Sequence, residues 1–193
     1  MIVITNPTAI VNEIDTIHAL FENGLELLHI RKPDFTVAEM VAFVNSIGLD
    51  FRYKLVLHSH PQLADELGVS RLHFTEKSRE IINLETLYFY NQKGFRLSTS
   101  THSIEDFNKL NAIFEYAFLS PVFPSISKVG HQSNIDLFEA IKYRTNFATQ
   151  LVGLGGISPK NSKTTIAQGF DKVAVLGAIW NNANPIENFK LCQ

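Results

Sequence analysis

The sequence predicts a single-domain (β/α)8 TIM barrel spanning residues 1–193. Three observations lead there. Eight short apolar runs rich in Val, Ile, Leu and Phe recur along the chain. Most are followed by an amphipathic stretch of helical period. The length, 193 residues, supports one sizeable core but not two. Strand–helix alternation implies parallel strands joined by helical crossovers, and eight units favour a closed barrel over an open doubly wound sheet. No G-x-G-x-x-G turn follows the first strand, which argues against the dinucleotide-binding version.

The strands, in order, are Ile2–Thr5, Leu25–Arg31, Lys54–Ser59, Arg71–Thr75, Gly94–Ser100, Tyr116–Pro121, Gln150–Gly156 and Lys172–Gly177. The helices between and after them are Ala9–Asn23, Thr36–Ile47, Pro61–Leu67, Ser103–Asn111, Ile135–Arg144, Pro159–Gly169 and Ala178–Leu191, with a less regular helix around Arg79–Tyr90. Thr36-Val-Ala-Glu39 and Ser103-Ile-Glu-Asp106 place a capping hydroxyl three residues before an acid. Ser158-Pro159 sets a cap before a first-turn proline. Gly24, Gly68 and Gly169 stand where helices want a left-handed terminating residue.

Composition narrows the function. Hydrophobic residues make up 45% and charged residues 19%, the profile of a soluble globular protein. A net charge of −2 offers no general attraction to nucleic acid or an anionic membrane, so neither is expected as a partner. Cys192 is the single cysteine; an intrachain disulfide is impossible, and a cytoplasmic location is expected. Met1–Thr5 reads as a first strand rather than a targeting segment. No apolar run approaches the roughly 20 residues of a membrane helix. Exposed aromatic residues on the outer helices would suit a homodimer.

In a barrel of this type, chemistry belongs at the C-terminal ends of the strands. The seventh strand ends at Gly155-Gly156-Ile157 and the eighth at Gly177. Loops after these two strands commonly grip phosphate through backbone N–H groups, and glycine lets the backbone approach. After the sixth strand, Ser125, Ser127 and Lys128 alternate as donors suited to an anion. His29 and Arg31 share a face of the second strand, and Arg31 suits a bidentate grip on phosphate unless Asp34 or Glu26 pairs with it. Past the fifth strand, Ser100 and His102 stand where catalytic side chains gather, and His102 can shuttle a proton near neutral pH. His58 and His60 have chelating spacing, and His73 or His102 would be further ligands. No cluster of aspartates completes a metal set, so no metal is expected there.

Taken in order, these segments resemble the thiamine phosphate synthase family, including its thiazole tautomerase (TenI-like) branch. Against the family's Q-x-R-x-K, this chain has His29, Arg31 and Pro33, with Lys32 adjacent. Against G-x-S-x-H it has Ser98 to His102, and against P-x-F-P-T-x-T-K it has Pro121 to Lys128, with serines replacing both threonines. Gly155 to Ile157 match the family's Gly-Gly-Ile. The resemblance implies a thiazole phosphate ligand held by His29, Arg31, Lys32, Ser100, Ser125, Ser127, Lys128, Gly155, Gly156 and Gly177. It also implies His102 as the catalytic group.

The synthases hold magnesium with acids whose positions here carry His58-Ser59 and Ser78, leaving Glu76 as the one nearby carboxylate. That departure favours a metal-independent thiazole tautomerase without a cofactor. The alternative is a thiamine-phosphate synthase that couples hydroxymethylpyrimidine diphosphate to thiazole phosphate and would use Mg2+. A further alternative is a binder of phosphorylated ligands without catalysis.

Overall fold

The computed structural model describes residues 1–123 and 137–193. Its eight strands are β1 (Ile2–Ile4), β2 (Leu27–Ile30), β3 (Leu55–Leu57), β4 (Arg71–Phe74), β5 (Arg96–Thr101), β6 (Phe114–Leu119), β7 (Gln150–Gly153) and β8 (Lys172–Val175). They close into a barrel in sequence order, and β8 pairs in parallel with β1. Every predicted strand is present. Most are shorter than predicted, because the last residues of most apolar runs leave the ladder and form the mouth; β5 instead runs one residue past its predicted end.

The helices divide more finely than the periodicity suggests. Helices α1 (Glu13–Glu22) and α2 (Val37–Ile47) are continuous. Ile17, Leu20 and Phe21 of α1 are buried at helical spacing. The Thr36–Glu39 capping box forms as expected and fixes the start of α2. The stretch before β4 opens with a 3-10 turn at Pro61–Leu63 and ends as α3 (Ala64–Leu67). The irregular segment before β5 is two helices, α4 (Glu76–Ile81) and α5 (Leu84–Gln92), because Asn83 caps the second by accepting from Thr86 N.

Helix α6 (Ile104–Asn108) follows β5, and α7 (Leu137–Ala140) precedes β7. After β7, α8 (Ser162–Ala167) begins later than Ser158-Pro159 implies, since Asn161 first closes a turn on Gly156 and Ser158. The last predicted helix is broken into α9 (Gly177–Trp180) and α10 (Pro185–Cys192). Proline is tolerated in a first turn but not within a helix, so Pro185 opens the second piece.

Outward-facing Val3, Leu28, Leu55, Leu57, Leu72, Leu97 and Val173 join the helices in the main core. The lumen holds a second population. Ile2, Ile4, Tyr116, Phe118, Val152 and Ala174 pack there as one cluster. Gly24, Gly68 and Gly169 all have positive φ, as their terminating role requires. Tyr88, Phe89 and Tyr143 are exposed on the outer surface. No helix among the described residues is long and apolar enough to cross a membrane.

Candidate active site

The lumen is divided by chemistry. Strands β6, β7, β8 and β1 fill their side with apolar groups, whereas β2 to β6 contribute His29, His58, His73, Ser98, Ser100 and the Tyr116 hydroxyl. Strand alternation does this: His29, His73 and Ser98 each follow an outward-facing leucine (Leu28, Leu72 and Leu97), so their side chains point inward. His29 Nε2 lies 2.6 Å from Tyr116 Oη, and His29 Nδ1 lies 2.8 Å from His58 Nε2. His73 stacks on His58 with ring centroids 4.2 Å apart. Its Nδ1 is 3.0 Å from Ser98 Oγ and its Nε2 is 2.9 Å from Ser100 Oγ. Because Ser98 Oγ donates to the Leu72 carbonyl, it accepts from His73 Nδ1–H. His73 Nε2 is then the lone-pair nitrogen and accepts a hydrogen bond from the Ser100 hydroxyl.

Burial holds these rings neutral. It pushes His73 down to about 3, with the Arg31 charge adding to the effect. His29 is held well below the usual histidine range by burial first, then by His73 and Arg71. His58 is depressed likewise by burial, then by His73, His29 and Arg31. Burial raises the Tyr116 phenol, so it stays protonated.

The end of β2 separates two cations that the sequence treats alike. Arg31 is partly buried and its guanidinium forms no ion pair among the described residues. Glu26 is engaged instead by the Met1 ammonium at 2.5 Å and Lys172 at 2.6 Å. Lys32 differs. Its side chain is fully buried, and its ammonium donates to both Glu13 oxygens (2.8 and 2.7 Å) and to the Thr8 carbonyl at 3.1 Å. It also lies over the rings of Phe35 and Phe43. An ammonium has three N–H groups, and all three are used. Lys32 therefore locks the β1 loop to β2, contrary to its expected phosphate role. His29 also differs from expectation: wholly buried, with both ring nitrogens engaged, it supports the mouth from below.

At the β5 end, His102 is exposed, and its Nδ1 lies 2.7 Å from the Ser120 carbonyl. A carbonyl only accepts, so Nδ1 carries a proton and donates a hydrogen bond to Ser120. The other ring nitrogen, Nε2, faces Glu76 Oε2 at 3.7 Å, and Arg79 holds the other carboxylate oxygen at 3.8 Å. Arg79 also donates to the Ser100 carbonyl. His102, Glu76 and Arg79 thus form a chain across the β4 and β5 loops. Glu76 carries no motif, and only its nearness to the absent acids singles it out in sequence.

The glycine loops lie where expected. Gly155 and Gly156 have φ of 99° and 63°. A Cβ on Gly155 would stand 2.8 Å from Pro121 Cα, so the β7 loop closes on the β6 loop only through glycine. Asn161 braces the turn by accepting from Ser158 N and donating to the Gly156 carbonyl, a role no sequence signal announces. Gly177 opens α9. The N–H groups of Gly156 and Gly177 have no acceptor among the described residues. Ser125, Ser127 and Lys128 lie outside the described residues.

Magnesium asks for oxygen ligands, chiefly carboxylates. The positions in question hold His58, Ser59, Glu76 and Ser78, and Ser78 Oγ is spent on the Thr75 carbonyl and hydroxyl. One carboxylate already facing His102 and Arg79 does not make such a site. His60 does not pair with His58 either: its Nε2 lies 2.9 Å from the Phe35 carbonyl.

A model of the thiamine monophosphate synthase family matches residues 1–179. A thiamine-phosphate synthase of Listeria welshimeri is 27% identical over 146 residues, covering 73% of this chain and 68% of the relative. One from Salmonella paratyphi A is 26% identical over 180 residues, covering 91% and 84%. Among solved structures, a thiamine phosphate pyrophosphorylase from Bacteroides thetaiotaomicron superposes with a TM-score of 0.77 at 28% identity, covering 100% of this chain and 94% of that one. The chain belongs to the thiamine monophosphate synthase family.

Proposed function

We propose that this protein couples a hydroxymethylpyrimidine diphosphate to a thiazole phosphate, the reaction named in its relatives. Those names favour coupling over the tautomerisation placed first by the sequence reading. In this reaction the bond from the pyrimidine methylene carbon to the diphosphate oxygen breaks. A bond from that carbon to the thiazole nitrogen forms, and diphosphate leaves. The observation that carries the proposal is Arg31, a half-buried guanidinium with no carboxylate partner among the described residues. A desolvated unpaired charge is costly, and an anionic phosphate group offsets that cost. The N–H groups of Gly156 and Gly177 take the phosphate of the thiazole.

The test is product formation from the two substrates, with magnesium and with a chelator. Thiamine phosphate in either condition supports the proposal; none in both overturns it. A second reading, thiazole tautomerisation, is favoured by one feature: His102 is exposed at the mouth, oriented by its Nδ1–H bond to the Ser120 carbonyl, with Nε2 turned toward Glu76. It moves a ring proton and needs no leaving group. His102→Ala abolishes that activity if the reading is right, and unchanged turnover removes it.

A further inference from the structure

Three imidazoles from adjacent strands meet in the lumen, and neither reaction above uses them. His29, His58 and His73 each offer a ring nitrogen, and these atoms all lie within 4.8 Å of one another. Three nitrogens bound to one ion at about 2.0–2.1 Å stand roughly 3.3 Å apart in a tetrahedral site. The His29 Nδ1 to His58 Nε2 separation of 2.8 Å is already close to that, so small ring rotations bring the set onto one ion.

Outer partners of the kind a metal site uses are present for His29 and His73. Histidine ligands usually donate their other N–H to an oxygen, which fixes the ring. His29 Nε2 has Tyr116 Oη at 2.6 Å. His73 Nδ1 has Ser98 Oγ at 3.0 Å, itself held by the Leu72 carbonyl. His73 Nε2, the lone-pair nitrogen, is the ligand atom, and its present partner is only the Ser100 hydroxyl.

A cavity of about 110 Å3 lies at the ends of β3 and β4, lined by Leu57, Leu72 and Phe74 of the outer core, and it also touches His58 and His73. Ser59 Oγ is buried against it without a hydrogen-bond partner, which marks a place for a water at the edge of the histidine group. Three neutral nitrogen donors without a carboxylate select zinc-class transition ions and reject magnesium.

We propose that His29, His58 and His73 form a three-nitrogen site for a divalent transition ion, with an open position that takes a phosphate oxygen. The phosphate part rests on the proposed function; the metal part does not. Arg31 lies near enough for its charge to act on His58 and His73, so it opposes a bare cation. An anion on the open position bridges the two. Phosphate and metal therefore strengthen each other's binding, and by linkage equally.

The experiment is a Co2+ titration of tag-free, chelator-treated protein, followed by visible absorption, with and without inorganic phosphate. One Co2+ per chain with a tetrahedral spectrum is expected, binding at least tenfold tighter when phosphate is present. His58→Gln and His73→Asn, checked for folding by circular dichroism, lose the spectrum, while His60→Gln keeps it. Should those variants fail to fold, Tyr116→Phe removes only an outer hydroxyl and weakens binding about tenfold. No bound Co2+, an octahedral spectrum, or binding indifferent to Tyr116→Phe and His73→Asn overturns the site. Binding unaffected by phosphate overturns the open-position assignment. Turnover is scored separately: Co2+ bound without product sinks the proposed function and leaves the metal site standing.

Discussion

Lys32→Ala separates a structural lysine from a ligand lysine. The substitution removes three hydrogen bonds and leaves Glu13, whose side chain is 4% exposed, as an uncompensated buried carboxylate. Breaking a buried pair in this way costs about 3–5 kcal/mol. For a domain of this size that lowers Tm by roughly 6–20 °C. The Glu13 carboxyl is already raised, because burial outweighs the help of Lys32. Without Lys32 it rises further.

A group whose folded pKa exceeds its unfolded value stabilises the fold below the unfolded value and loses that contribution as pH rises through the folded one. The deficit of Lys32→Ala is therefore larger at pH 8 than at pH 5. The paired change Glu13→Leu with Lys32→Met replaces the ion pair by apolar volume beside Phe35 and Phe43 and recovers most of the loss. Urea denaturation at both pH values gives the energies, and KM for thiazole phosphate gives the functional arm. A Lys32→Ala loss under about 1 kcal/mol contradicts the locking role. So does a stable paired variant whose KM has risen tenfold.

Other substitutions test the mouth and the periphery. Arg31→Met raises KM for the phosphorylated substrates about 10- to 150-fold with little change in Tm, the worth of a charged hydrogen bond; an unchanged KM counts against the anion site. Gly155→Ala drives a Cβ to 2.8 Å from Pro121 at φ 99°, and a loss of about 2–4 kcal/mol is expected in urea unfolding. Burial pushes the Cys192 thiol up to about 11. Since the thiolate is the reactive form, alkylation at pH 8 runs about 100-fold slower than for an ordinary thiol and keeps accelerating up to pH 11. Denaturant abolishes the difference, and a fast reaction in native protein contradicts the burial.

The barrel is legible in the sequence because each strand is an apolar run long enough to stand out from its helix. Helix ends are less legible. Asn83 and Asn161 cap or brace through side-chain geometry that any loop asparagine might adopt, so the breaks before α5 and α8 carry little local signal. At the mouth, His102, Arg31 and the glycines stand out because they sit at strand ends. The histidine group is legible only in part, since His58 and His73 read as candidate ligands but His29 does not. Its members are 29 and 15 residues apart in sequence, and only closure of β2, β3 and β4 side by side brings them together. Chelation was sought instead between His58 and His60, whose spacing looks right. Position 60 has turned out of line with a φ of 55°, and its ring is tied to the Phe35 carbonyl. The Lys32 ion pair is illegible for a related reason: Glu13 lies 19 residues away on α1, and sequence spacing gives no hint of the pairing.

The loss of the acidic positions need not mean the loss of a metal. Oxygen donors at the ends of β3 and β4 select a hard ion that keeps its waters, and nitrogen donors select a softer one that holds fewer. This lumen offers three ring nitrogens, with Arg31, which has no carboxylate partner among the described residues, close enough for its charge to act on two of them. Filling half of a barrel with three neutral imidazoles is expensive as mere packing, since aliphatic side chains fill the opposite half at no desolvation cost. Burial first, and then the Arg31 charge on His58 and His73, keeps these rings from protonating. The packing cost and the Arg31 charge are both offset when an ion sits among the rings and an anion sits between ion and guanidinium. In the proposed site, metal bonds take the place of the His29–His58 and His73–Ser100 hydrogen bonds, and the anion offsets the Arg31 charge.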